Sequence, residues 1–213
     1  MPQTSGSEKI SIDGPVGRLE GLWLPAGATL MERAVVLCHP HPLHGGSMET
    51  KLVARTARRL SESGYQTLRF NFRGVGQSEG TWDDGNGERD DVVAALDYIS
   101  DRLGSARLAL FGFSFGAALG LDVGCRDERV EALIAVAPAV QRLPPEWTPA
   151  DSKPILLVGA SQDELVDPED LREWVRARPD AVRLQMIEGA DHLFTDKTDI
   201  VADAVVRFLE SLH

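Results

Sequence analysis

The segment Leu108-Ala109-Leu110-Phe111-Gly112-Phe113-Ser114-Phe115-Gly116-Ala117-Ala118-Leu119 sets a serine between two glycines at the spacing G-x-S-x-G. An apolar run precedes the serine and an Ala/Leu/Gly-rich run follows it. This is the pattern of a strand that turns sharply into a helix. Such a turn brings strand and helix close together, so the residues two before and two after the serine must lack a Cβ. The turn lifts the Ser114 Oγ above the sheet and puts the Phe115 N–H at a helix N-terminus, facing developing negative charge. Ser114 is therefore the candidate nucleophile and the Phe115 N–H a candidate oxyanion donor.

A serine hydroxyl needs a base to take its proton, and the base needs a group to orient it. The histidines are His39, His41, His44, His192 and His213. His192 follows Gly189-Ala190-Asp191 in a loop between a strand and the last helix, which makes it the candidate base. The acid should come from another strand end. Beyond Leu156-Leu157-Val158-Gly159, two aspartates compete. Asp167 precedes Pro168 and a helix, which reads as an N-cap followed by proline at the first helical position. Asp163 has no such structural task and lies closer to the strand end, so it is the candidate acid. Asp191 adjoins His192, and neighbouring side chains in a turn seldom pair well. Ser114, Asp163 and His192 each follow a strand. They should gather at the carboxyl edge of one sheet, where open α/β sheets place their sites.

Those positions require an alternation of strands and helices. Lys9 to Leu24, around Asp13-Gly14-Pro15, reads as an antiparallel hairpin. Strands are expected at Ala34–Cys38, Tyr65–Phe72, Arg107–Phe111, Val130–Ala137, Ile155–Val158 and Val182–Ile187. Helices are expected at Met48–Ser63, Glu88–Leu103, Ser114–Gly124, Pro168–Arg178 and Asp196–Leu212. Strands alternating with helices of this length imply an α/β fold with a mostly parallel sheet and helices on both faces. No composition break marks a second unit, so residues 1–213 read as one domain.

Composition narrows the function. Hydrophobic residues are 43% and charged residues 26% of 213, an ordinary globular balance. The formal net charge of −11 argues against nucleic-acid partners and anionic lipid surfaces. Cys38 and Cys125 form no spaced framework. The start, MPQTSGSEKI, has no apolar segment of the secretory type. A cytoplasmic protein with no membrane association is the expectation.

The order Ser114, Asp163, His192 is that of the α/β hydrolases. The chain resembles that superfamily over almost its full length. More narrowly, it resembles the small lidless bacterial serine hydrolases related to dienelactone hydrolases. The carrying blocks are His39-Pro40-His41-Pro42-Leu43-His44-Gly45-Gly46-Ser47-Met48, Asn71-Phe72-Arg73-Gly74-Val75-Gly76-Gln77-Ser78, Gly112 to Gly116, and Gly189 to His192. The family usually places its acid three residues after a strand-end glycine, whereas Asp163 lies four after Gly159. The resemblance implies a second oxyanion donor in the loop after Cys38. Pro40 and Pro42 carry no N–H, so the backbone N–H of His41 is the candidate and Leu43 the alternative. It also implies an α/β-hydrolase fold without a lid domain. The connection from Pro138 to Lys153 is short, with Gln141 to Trp147 as a small rim. The implied function is a carboxylesterase that cleaves small soluble esters through an acyl-enzyme, without a cofactor. A peptidase, thioesterase or lactone hydrolase would use the same residues, and a non-catalytic binding protein would be a different class.

Three rival readings concern the loops. His39, His41 and His44 form H-x-H-x-x-H, which suggests zinc, but no further carboxylate or histidine ligand follows at suitable spacing. Gly74-Val75-Gly76 suggests a dinucleotide loop, but Thr81 to Gly87 intervenes before the helix where a phosphate would need the helix N-terminus directly. Asp83, Asp84, Glu88, Asp90 and Asp91 read as a solvated loop and a dipole-matched helix start.

Overall fold

The apolar runs of the sequence become strands that are buried almost throughout, as strands covered on both faces must be. The computed structural model of the protein describes residues 6–27, 33–104, 107–142, 153–177 and 182–212. Its strands are β1 (Glu8–Gly14), β2 (Gly17–Leu24), β3 (Arg33–Cys38), β4 (Gln66–Phe70), β5 (Arg107–Phe113), β6 (Val130–Val136), β7 (Ile155–Ala160) and β8 (Val182–Ile187). They form one eight-stranded sheet in the order β1-β2-β4-β3-β5-β6-β7-β8. The hairpin of β1 and β2 joins antiparallel, through β2 on β4. From β4 to β8 every neighbouring pair is parallel. The strand carrying Ser114, β5, is central. The strand ends leading to Asp163 and His192 lie to one side of it.

The helices are α1 (Lys51–Glu62), α2 (Asn86–Leu103), α3 (Phe115–Arg126), α4 (Pro168–Arg176) and α5 (Thr198–Glu210). Side chains alternate across a strand, and the core divides accordingly. Val35, Leu37, Phe111 and Phe113 pack with Leu52 and Leu60 of α1 and Val201 and Val205 of α5. Val36, Leu110 and Leu133 face the other way, toward Val92 of α2, Leu121 of α3 and Leu171 of α4. The architecture is thus a mostly parallel sheet with helices on both faces. Between β6 and β7, the described residues hold only a short 3₁₀ turn, Val140–Arg142. Most of the rim expected at Gln141 to Trp147 lies outside the described residues. No helix among the described residues is long and apolar enough to cross a membrane.

The acidic run before and within α2 is not wholly solvated. Asp83, Asp84 and Asp90 are exposed, but Glu88 and Asp91 are fully buried. Glu88 turns back and accepts the N–H groups of Gly85 and Asp83 at 2.8 and 2.9 Å. Asp91 accepts the Arg73 backbone N–H at 3.0 Å and the Arg73 guanidinium at 2.7 Å. Arg73 is itself nearly buried, and a charge so placed needs a partner. The paired carboxylate fastens the loop after β4 to the first turns of α2. Removing one member of a buried pair leaves the other charge uncompensated. Asp91→Ala should therefore cost about 3–5 kcal/mol in urea unfolding. A loss below about 1 kcal/mol, the range of exposed pairs, would contradict this.

Candidate active site

Ser114 occupies the turn between β5 and α3 with φ 53° and ψ −112°, a left-handed conformation uncommon for a residue with a side chain. The two glycines explain why the turn closes. A Cβ on Gly112 would lie 2.2 Å from the Gly116 carbonyl oxygen, and one on Gly116 would lie 2.4 Å from that of His39. Neither has room for any side chain. The Ser114 N–H donates to the Val136 carbonyl of β6 at 2.8 Å, and the Ser114 carbonyl accepts from Ala117 at 3.0 Å to start α3. The Phe115 N–H is the first of that helix, where no preceding turn supplies an acceptor.

The candidate base comes from the loop after β8. His192 is 3% exposed; its ring lies beside buried Phe113 with centroids 5.6 Å apart. Its Nε2 is 3.0 Å from the Ser114 Oγ, and its Nδ1 is 2.9 and 3.0 Å from the two carboxylate oxygens of Asp163. An ionised carboxylate only accepts, so Nδ1 carries the hydrogen. The Nε2 lone pair of the neutral ring then points at the serine hydroxyl.

Asp163 lies three residues past the end of β7, which runs on to Ala160 rather than stopping at Val158. The longer strand accounts for the extra residue counted from Gly159. The Asp163 side chain is fully buried. Burial works to raise its pKa. The hydrogen bond from His192 and the N–H groups of Val166 and Leu165, each at 2.9 Å, outweigh burial and hold the carboxyl below its usual range. Asp167 does the other job: it caps α4 by accepting the Glu169 N–H at 2.8 Å, with Pro168 at the first helical position. The structure thus brings Ser114, His192 and Asp163 together and leaves Asp167 at a helix end.

The loop after β3 lies against the same elbow. His41 accepts at its carbonyl from His44 and Gly46, at 3.1 and 3.0 Å. The N–H of Leu43, the alternative oxyanion donor, donates instead to the His41 Nδ1 at 3.3 Å. His39 is fully buried, and both its ring nitrogens are engaged: Nδ1 donates to the Pro40 carbonyl at 2.6 Å and Nε2 accepts the Phe72 N–H at 3.1 Å. Burial pushes its pKa down to about 4. His39 therefore locks this loop to the one after β4. It has no lone pair left for a metal, so the spacing H-x-H-x-x-H does not assemble a three-histidine site.

Some supporting groups carry no motif in the sequence. The carboxylate of Glu164 accepts the backbone N–H of His192 at 3.2 Å. The Gln162 N–H donates to Ala190 at 2.9 Å and the Gly189 N–H to the Ser161 hydroxyl at 2.8 Å. The loops bearing the acid and the base are thereby laced together residue by residue. Only their proximity past adjacent strand ends could have hinted at this.

Comparison with known proteins follows the same lines. Residues 34–153 match the model of the alpha/beta hydrolase fold. An uncharacterized protein of Rickettsia prowazekii is 33% identical over all of this chain and 90% of its own length. A lidless a/b serine hydrolase from Xanthomonas campestris superposes with a TM-score of 0.90 at 31% identity, over 98% of this chain and 95% of that one. An alpha-beta serine hydrolase homologue from Coxiella burnetii does so with a TM-score of 0.89 at 36% identity, over 98% of both chains. With the strand order, the strained serine between two glycines and these matches all in agreement, the chain belongs to the alpha/beta hydrolase fold family.

Proposed function

We propose that the protein is a serine esterase acting on small carboxylic esters through an acyl-enzyme. The observation that carries this is the continuous chain from Ser114 Oγ to His192 Nε2 at 3.0 Å and from His192 Nδ1 to Asp163 at 2.9 Å. Ser114 attacks the ester carbonyl as Nε2 takes its proton. Buried Asp163 holds the tautomer and stabilises the imidazolium that forms. The carbonyl oxygen, now negative, is held by the N–H groups of Phe115 and His41. Support for His41 over Leu43 is the Leu43 N–H, which already donates to the His41 ring. The tetrahedral intermediate collapses when His192 returns the proton to the leaving alcohol. Water then enters, loses a proton to His192, and releases the acid from Ser114 by the same steps in reverse.

The pH dependence tests this mechanism. A protonated imidazole could not accept the serine proton, so kcat/KM should fall toward acid pH. Asp163 is held below the ordinary carboxylate range, so it stays ionised across that limb and adds no second proton. The acid limb for 4-nitrophenyl acetate should follow one ionisation, with a limiting slope of about one. A limb that needs two protons would contradict the assignment. Prolonged dialysis against EDTA should leave the rate unchanged. Loss of activity restored by zinc would move the chemistry to a metal site.

A further inference from the structure

The direction of proton return divides the site into two halves, and this step rests on the esterase reading above. The leaving alcohol takes its proton from His192 Nε2, so it must lie on the His192 side of Ser114, over the ends of β7 and β8. Of the two remaining substituents, the oxyanion takes the Phe115 and His41 N–H groups, and the acyl chain is assigned to the open surface beside them, along the loops that follow β3 and β4. Those loops carry an aromatic group. The His41 ring lies 4.7 Å from Trp82 and 5.2 Å from Phe115, and Trp82 lies 5.0 Å from Phe115. Phe115, next in sequence to the nucleophile, is buried and backs the other two. His41 and Trp82 are only half-buried, so part of each ring is open to solvent, and both pack on the residue that follows the serine. The alcohol half is different in kind. Its loops present the aliphatic side chains of Leu165 and Leu193, 70% and 59% exposed, whereas the acyl side adds the three rings to its own exposed leucine, Leu43.

We propose that Trp82, with His41 and Phe115, forms the acyl-binding wall, and that it selects uncharged alkyl or aryl acyl groups larger than acetyl. Rigid ring surfaces gain from covering apolar area and order few torsions in doing so. A carboxylate-bearing acyl group would lose solvation against the Trp82 and Phe115 faces, which offer it no compensating charge. Trp82 is a specificity residue in this account. It touches the part of the substrate that does not react.

The test is the ratio of kcat/KM for 4-nitrophenyl hexanoate and benzoate over 4-nitrophenyl acetate, with 4-nitrophenyl hemisuccinate as the charged member. Wild-type protein should favour hexanoate and benzoate over acetate and reject hemisuccinate. Trp82→Ala should lower the hexanoate-to-acetate ratio about tenfold, the scale of losing an apolar contact in a pocket. Trp82→Phe should restore most of it. If Trp82→Ala does not fold by circular dichroism, Trp82→Gln carries the same expectation. Val93→Ala, at an exposed apolar position on α2, should leave the ratio at the wild-type value. The ratio of octyl to ethyl acetate, which varies the alcohol, should not respond to Trp82→Ala. An acyl ratio that Trp82→Ala leaves unchanged, or an effect confined to the alcohol series, overturns the assignment while the esterase reading stands. Hydrolysis of none of these esters overturns both.

Discussion

Ser114→Ala is expected to lower kcat for ester hydrolysis by about 10⁶-fold and to leave the fold intact. In the proposed mechanism the hydroxyl oxygen bonds to the acyl group and its proton passes to the His192 lone pair 3.0 Å away. The backbone of the turn is held by the Ser114 N–H on Val136 and by the glycines on either side. None of these contacts uses the Oγ, so thermal unfolding should move little. Alanine inherits the strained φ but adds no bulk. A folded Ser114→Ala protein retaining more than about a tenth of wild-type activity would remove Ser114 from the mechanism, since loss of a triad serine leaves only a small residue of the rate.

The second large effect separates two aspartates. Asp163→Asn should reduce kcat by about 10⁴-fold, as loss of the orienting carboxylate does in such systems. The local geometry explains why an isosteric change is so damaging. One Asp163 oxygen accepts the N–H groups of Leu165 and Val166. In asparagine the amide oxygen must take that place, where it stays 3.0 Å from His192 Nδ1 but is shared with two backbone donors, while its NH₂ group replaces the oxygen 2.9 Å from Nδ1. That NH₂ opposes an Nδ1 hydrogen and favours the opposite tautomer, with the ring hydrogen on Nε2. The lone pair that should accept the serine proton is gone. Asp167→Asn should change activity little, because asparagine caps a helix about as well as aspartate. Assayed side by side with 4-nitrophenyl acetate, the reverse ranking would move the acid to Asp167.

Much of the site was legible because its geometry demands residues with few substitutes. The close crossing of β5 and α3 requires Gly112 and Gly116, so the serine between them stood out. Asp167 could be set apart because the Asp-Pro pair at a helix start has its own structural reason. Element types were readable from apolar runs, but strand ends were not. β5 runs to Phe113 and β7 to Ala160, past the expected Phe111 and Val158. There the ladder continues through Phe113 opposite Val136 and Ala160 opposite Ile187. Such pairing belongs to the neighbouring strand and leaves no mark in the segment itself.

Other features were hidden because the partner lies far along the chain. Asp91 and Glu88 sit in an acid-rich run that resembles a solvated surface. The cation that makes burial of Asp91 tolerable is Arg73, 18 residues earlier. His39 stands in a spacing that suggests metal ligation, yet its ring accepts the backbone N–H of Phe72, 33 residues on. A main-chain donor carries no residue identity, so no motif could announce that contact. The ring cluster of His41, Trp82 and Phe115 is similar: its members come from two loops and the first turn of α3, joined only by the order of β4, β3 and β5 in the sheet.

Activation of Ser114 by His192 and Asp163 should make its Oγ reactive toward phosphorus electrophiles. Covalent labelling of the purified protein with a fluorophosphonate probe, followed by intact mass measurement and peptide mapping, reads that reactivity. The Ser114 Oγ should attack the probe's phosphorus once per chain, forming the P–O bond as the P–F bond breaks, fluoride leaves and the hydroxyl proton passes to His192. Ser114→Ala should not be labelled, and Asp163→Asn should be labelled far more slowly than wild type. No mass increase in the folded wild-type protein, or a label mapped to another residue, would contradict the account.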